Sequence, residues 1–438
     1  MTTRDLTCAI IAEVQANPDR TATELLQCAA KRHGNPWEHE TNALLDIVRK
    51  TPTDAVVPHQ QVLSSRPFLA LCQAVQRQPK KDVHRHFSGN LDPHWMSDTL
   101  RLDDSDRSKL LAAHTAGQFD EMKCSLDGLV QNLPHYLACF RRIVLEAFAD
   151  GVASVGIRFN PSNKPFCAMG DLLTALDQTL QPIEADFCQR TGWKHTTAFV
   201  VSISRRYGTD HARAALAGAA QLLSDASVPE SVKQRIGEFD LSGPELCGDD
   251  LPQWAPVFDT VRQLGLTPVA HLGDCSWPQA DMTARQHVAY VRDTLQALRP
   301  QRIGHGLVLA PLVERAHGQL EDARSIEPLI RRVLGDEVQA RRLTIETAPS
   351  ATIWGPHRDC HRIWYWDDLG VDWIPILDER FHPRALGMAN LSTWVALLLL
   401  LAPEPARTPL TWARMMDKLA PGHAVGFTAS SAPPGFRG

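Results

Sequence analysis

The sequence predicts an α/β chain built around a TIM-type (β/α)8 barrel, and three observations carry that expectation. Eight short β-rich runs lie between Asp82 and Asp378, each separated from the next by a stretch long enough to form a helix. Polar, glycine or histidine residues close nearly every run, at the end where such barrels carry their chemistry. The length of 438 residues suits a barrel of roughly 250 residues with additions.

The chain opens on residues 1–80, a helical extension. The segments "LTCAIIAEVQ", "ATELLQCAAKR", "TNALLDIVRK" and "PFLALCQAVQRQ" repeat apolar residues near the helical period, with turn signals "NPD", "HGNP" and "TPTD" between them. The barrel is expected over residues 81–427. Its strands are read in order as "DVHRHF", "ASVGIRFNP", "TTAFVVSIS", "IGEFDLSG", "TPVAHLG", "QRIGHGL", "RLTIETAP" and "VDWIPILD". Residues 428–438, "SSAPPGFRG" with its preceding residues, are rich in Pro, Gly and Ser and read as a disordered tail.

Composition narrows the function. Apolar residues make up 44% and charged residues 22%, the balance of a soluble globular protein. A net charge of −5 with both signs interspersed argues against long nucleic acid as a partner and favours a small, locally recognised substrate. The N-terminus lacks a basic flank ahead of a long apolar core, and "WVALLLLLAPEP" from Trp394 is too short to span a bilayer, so a cytoplasmic protein with no membrane partner is expected. Ten cysteines without a C-x-x-C pair read as reduced, mostly structural thiols. The helical extension is a candidate surface for a homo-oligomer.

The stretch "KKDVHRHFSGNL" places His84 and His86 on alternate positions of the first strand. Among 18 histidines chance alone is enough to supply one such pair, but alternate strand residues share a face, so both imidazoles can point into the barrel mouth. Two imidazoles on one face can share a Zn²⁺ ion, which then requires further ligands from other strands. His271 in "PVAHLGD", His305 in "QRIGHGL" and Asp378 in "PILDER" supply candidates. Each also has a plainer reading: a hydrogen-bonded core histidine, a loop histidine and a helix N-cap.

The order of these motifs resembles the adenosine/AMP deaminase family of metal-dependent hydrolases, in the amidohydrolase superfamily, from about Asp82 to about Leu400. "HRHFSG" is similar to the family's H-x-H-x-x-G, "GVASVGIRFNP" to its second strand and "FDLSGPE" to D-L-x-G-x-E. "AHLGD" is similar to H-x-G-E, "RIGHG" to R-I-G-H-G, "ETAPSA" to E-x-C-P-x-S-N and "ILDER" to the closing T-D-D. The resemblance implies that His84, His86, His271 and Asp378 bind one Zn²⁺ per chain. Three neutral imidazoles and one carboxylate leave a divalent ion net positive, able to lower the pKa of a water towards neutrality. It further implies that His305 orients the attacking hydroxide, that Asp378 accepts its proton, and that Asp274 protonates the ring. His86, Ser88, Gly243 and Glu379 would then line the substrate. The activity implied is hydrolytic deamination of an aminopurine, adenosine or a related nucleoside or base, with release of ammonia. The H-x-E with P-C-x-x-C signature of nucleic-acid deaminases is absent.

The sequence departs from the family at four places. Asp274 stands where the family has its catalytic glutamate, one methylene shorter. Ser88 replaces an acid that adenosine-specific members place near the ribose, which loosens substrate choice. "PILDER" aligns with T-D-D only after deletion of one residue, and "ETAPSA" lacks the cysteine and asparagine. Two alternatives therefore stand beside the leading one: a related hydrolase acting on a modified purine or another cyclic amine, and a catalytically weakened binding or assembly protein. Iron, manganese or cobalt suit the same ligand set as zinc. Asp240 and Glu245 read as a supporting pair or a cap, Arg158 as a buried ion partner, Arg205 and Arg206 as solvated, and "IWGPHRDCHRIWYWDDLG" as a lid or packing element.

Overall fold

The computed structural model describes residues 2–50, 60–116, 129–243, 245, 251–273, 283–310, 323–347, 363–378, 390–402 and 409–421. Eight parallel strands form one sheet in chain order. They are β1 (Lys80–His86), β2 (Val152–Phe159), β3 (Thr196–Ser204), β4 (Ile236–Ser242), β5 (Thr267–Leu272), β6 (Arg302–His305), β7 (Thr344–Thr347) and β8 (Trp373–Pro375). The sheet returns on itself just past β8, where Arg85 bridges Asp378 in parallel sense. There His86 N–H donates to the Asp378 carbonyl at 3.2 Å and Asp378 N–H to the His84 carbonyl at 2.9 Å. Helices surround the sheet, and the fold is the expected (β/α)8 barrel.

Alternation along the strands decides what lies on each side. Val155 and Ile157 of β2, Phe199, Val201 and Ile203 of β3, and Phe239 and Leu241 of β4 join the hydrophobic core shared with the helices. Arg158, Ser202, Glu238 and Asp240 on the same strands are also buried yet polar: Arg158 and Ser202 meet Asp240, and Glu238 meets Arg302. A parallel sheet is covered on both faces, so these charges persist only because each is paired.

The extension forms helices Thr3–Ala16, Ala22–His33, Asn35–Lys50, Gln60–Ser64 and Arg66–Gln76. The second starts in a reciprocal cap between Thr21 and Glu24. These helices share one continuous hydrophobic core with the barrel. The apolar run from Trp394 falls in helix Leu391–Leu401, buried on nearly every side. Ser392 fastens that helix by donating its backbone N–H to the Asp150 carboxylate and its hydroxyl to the Asp150 carbonyl, both at 3.1 Å. No described helix is long and apolar enough to cross a membrane. The tail 428–438 lies outside the described residues.

Candidate metal centre and active site

The downstream ends of β1, β5 and β6 and the residue that closes the barrel bring four histidines and one aspartate together. His84 and His86 leave β1 on the same face, and His271 faces them from β5. The three Nε2 atoms form a near-equilateral triangle: 3.1 Å from His84 to His86, 3.1 Å from His84 to His271 and 3.0 Å from His86 to His271. Asp378 Oδ1 lies 3.5 Å from His84 Nε2 and 3.6 Å from His86 Nε2, and Asp378 Oδ2 lies 4.0 Å from His305 Nε2. His84 is fully buried, and His271, His305 and Asp378 are nearly so.

The proton positions follow from the other edge of each ring. His84 Nδ1 is 2.7 Å from Glu346 Oε2, and His271 Nδ1 is 2.9 Å from Asp240 Oδ1. A carboxylate accepts, so each Nδ1 carries the proton and each Nε2 presents a bare lone pair. Burial lowers the His84 pKa well below its ordinary value, with Arg158 and the neighbouring imidazoles adding to the effect. Burial likewise pulls His271 down to about 4, against the opposing pull of Asp240. Neutral rings with lone pairs aimed at one another repel unless something positive lies between them.

That arrangement fits a divalent ion. Zn–N bonds of 2.0–2.1 Å at tetrahedral angles separate two nitrogens by about 3.3 Å, close to the spacings seen here. His84, His86, His271 and Asp378 would hold the ion, and the carboxylate partners on the Nδ1 edges would fix ring orientation.

Local backbone makes the cluster possible. Gly304 of β6 faces the His84 ring, and a Cβ placed there would lie 3.1 Å from His84 Cε1. His305 at φ +70° and Asp378 at φ +56° are non-glycine residues in the left-handed region, an arrangement that costs on the order of 1–3 kcal/mol each and is typical of sites. Asn90 holds the closure by donating its Nδ2 amide to the His86 carbonyl at 2.9 Å and to the Asp378 carbonyl at 2.5 Å.

The remaining expected residues divide. Ser88 is buried and opens the short turn Ser88–Asn90 directly after β1. Gly243 has φ +84°, and a Cβ there would meet Ser204 Oγ at 2.4 Å, so packing and backbone conformation both require glycine. Asp274 and Glu379 lie outside the described residues. Asp240 supports His271, whereas Glu245 pairs with His287 at 2.9 Å, so the two acids serve different partners. Arg158 is a buried ion partner of Asp240 and Glu346.

Arg205 differs from the expectation of a solvated arginine. It is buried, donating Nη2 to the His271 carbonyl at 2.6 Å and Nη1 to the Gly243 carbonyl at 3.0 Å, while Arg206 is exposed. A guanidinium can satisfy several carbonyls at strand ends at once, which explains its burial. Trp366 is buried with its indole N–H on the Leu309 carbonyl at 2.8 Å; residues 353–362 of the tryptophan-rich segment lie outside the described residues.

Glu346 is the supporting residue that sequence reasoning left without a role. Its signal was a lone acid in the apolar strand "LTIET", since a fully buried carboxylate always needs a partner.

No family model matches the chain. An adenine deaminase from Cupriavidus metallidurans is 25% identical over 251 residues, covering 54% of this chain and 62% of the relative. The chain thus matches less than two thirds of that relative's length. An N6-mAMP deaminase from Arabidopsis superposes with a TM-score of 0.57 at 16% identity, covering 79% of this chain and 93% of the other. A Burkholderia ambifaria amidohydrolase with bound Zn superposes with a TM-score of 0.53 at 14% identity, covering 79% of this chain and 86% of the other. In fold the chain is similar to these deaminase and amidohydrolase structures, and in sequence it is similar to adenine deaminases over a little more than half of its length.

Proposed function

We propose that this chain is a metal-dependent hydrolase that removes the amino group of an aminopurine as ammonia. The observation that carries the reading is the triangle of Nε2 atoms of His84, His86 and His271 at 3.0–3.1 Å, with Asp378 beside it. The relatives named adenine deaminase support the substrate class. Zinc is the first cation to test, since a neighbour in fold carries it. Such a cation supplies a Lewis acid that lowers the pKa of water towards neutrality.

The chain's own side chains do the rest. Asp378 takes a proton from the attacking water at Oδ2, the oxygen that faces His305. The His305 imidazole orients the nucleophile and stabilises the charge that develops on it. Asp274 delivers a proton to the ring nitrogen next to the reacting carbon, which makes that carbon electrophilic. One water adds across the carbon–nitrogen bond, the amine departs as ammonia, and a keto-purine remains. Ser88 and Gly243 are assigned to the purine, with the bare backbone of Gly243 allowing close approach, and Glu379 is assigned to its far edge from the sequence alone.

Adenine is the first substrate to try, because Ser88 lacks the charge that would grip a ribose. Release of ammonia from adenine, adenosine and AMP, and of methylamine from their N6-methyl forms, tests the proposal. Release from one or more of these at micromolar to millimolar KM is expected. A metal-loaded chain that releases neither ammonia nor methylamine from any of them overturns the reading and favours a binding or assembly role.

A further inference from the structure

We propose that Arg158 is a positioning residue that clasps both carboxylates behind the metal-site histidines, so that one guanidinium sets the proton position on His84 and His271 together. This inference rests on the reading that these histidines hold a divalent cation, and its principal test is independent of that reading.

The contacts form one arch inside the barrel. Glu346 Oε2 meets His84 Nδ1 at 2.7 Å and Arg158 Nη2 at 2.6 Å. Asp240 Oδ1 meets His271 Nδ1 at 2.9 Å and Arg158 Nη1 at 2.8 Å. On each side the oxygen that accepts from the imidazole is therefore the same oxygen that the guanidinium holds. The second oxygen of each carboxylate is occupied separately. Ser202 Oγ donates to Asp240 Oδ2 at 2.8 Å, and Arg302 Nε lies 2.5 Å from Glu346 Oε1. Arg302 is itself anchored on Glu238 one layer below. Neither carboxylate can turn without breaking a buried ion pair.

The planar fork of arginine matters here. Its two terminal nitrogens sit at a fixed separation and can face two acceptors at once, whereas lysine offers a single point charge. Arg158, Asp240 and Glu346 are all buried, so no solvent replaces a lost partner. Without the guanidinium, two carboxylates inside the barrel lose their shared cation, and the simplest relief is rotation away from the rings. That rotation frees the imidazole protons to move to Nε2, where they block ligation. Outer partners of metal-bound histidines typically govern 10–100-fold in affinity.

The test uses the full chain stripped of metal, with ¹⁵N-labelled histidine, read by NMR for the tautomer of each ring. His84 and His271 are expected to carry their protons on Nδ1 in the unsubstituted protein. In Arg158→Gln both rings are expected to shift towards a mixture, while Asp240→Asn and Glu346→Gln each disturb chiefly one ring. Zinc affinity in Arg158→Gln is expected to fall about 10–100-fold. A proton on Nε2 of either ring in the unsubstituted protein overturns the inference without any variant. So does a folded Arg158→Gln, or Arg158→Lys if the former does not fold, that keeps both Nδ1 protons and full zinc affinity. An unsubstituted chain that binds no zinc sinks the cation reading instead, and the tautomers still judge the clasp.

Discussion

The Nε2 atoms of His84 and His271 stand 3.1 Å apart although 187 positions separate the residues in the chain. Each ring has committed its proton to a carboxylate on the other edge, so neither nitrogen can donate to its neighbour. Two buried lone pairs meeting in this way define a cation site more specifically than the residue types do. Each prediction below follows from that convergence or from what surrounds it.

Removing one corner of the triangle should empty the site. His271→Ala is expected to weaken zinc binding by more than about 100-fold, beyond the usual cost of losing an outer partner. Chelator competition at fixed pH measures it. Affinity within a few-fold of the unsubstituted chain would show that the ion is held elsewhere.

Gly304 leaves room for the His84 ring, and the methyl of Gly304→Ala would lie 3.1 Å from His84 Cε1. The ring must yield by a few tenths of an ångström; a misplacement of about 1 Å can cost on the order of 100-fold in rate, so a smaller loss is expected here. The expected result is a folded protein with a lower kcat for ammonia release. Steady-state kinetics at saturating metal checks it, and an unchanged kcat counts against the packing described.

Asn90→Ala removes the amide that joins the His86 and Asp378 carbonyls across the barrel seam. Two buried acceptors lose a donor, at a cost of about 1–3 kcal/mol. Urea denaturation should show a lower midpoint with an unchanged slope. A midpoint equal to that of the unsubstituted chain would mean that the seam is held by other contacts.

Asp274 is assigned the proton delivery to the purine ring. Asp274→Asn should lower kcat by roughly 10²–10⁴-fold, the usual contribution of a positioned acid, while leaving bound metal unchanged. Ammonia release and metal content measured on one preparation separate the two effects. Full activity in the variant removes Asp274 from the mechanism.

Much of this was legible in the sequence, for reasons that differ between elements. Strand ends such as "PVAHLGD" and "QRIGHGL" advertise themselves, because a short apolar run that stops at a histidine has few structural uses. The pair His84 and His86 was legible because a period of two puts both on one face. Arg205 was not, since nothing local distinguishes it from the exposed Arg206; its burial comes from the carbonyls of β4 and β5, contributed by distant segments. Glu346 was similarly hidden, because its partners His84 and Arg158 lie 262 and 188 residues away. The left-handed backbone at Asp378 depends on the seam with β1, which only closure of the barrel creates.

The most direct test of the central claim is the metal stoichiometry of the full chain after stripping with chelator and reloading with zinc, measured beside a His84→Ala/His271→Ala double variant. One equivalent per unsubstituted chain, and almost none in the folded double variant, is the expected result. Equal zinc in both proteins, or none in either, would contradict the account.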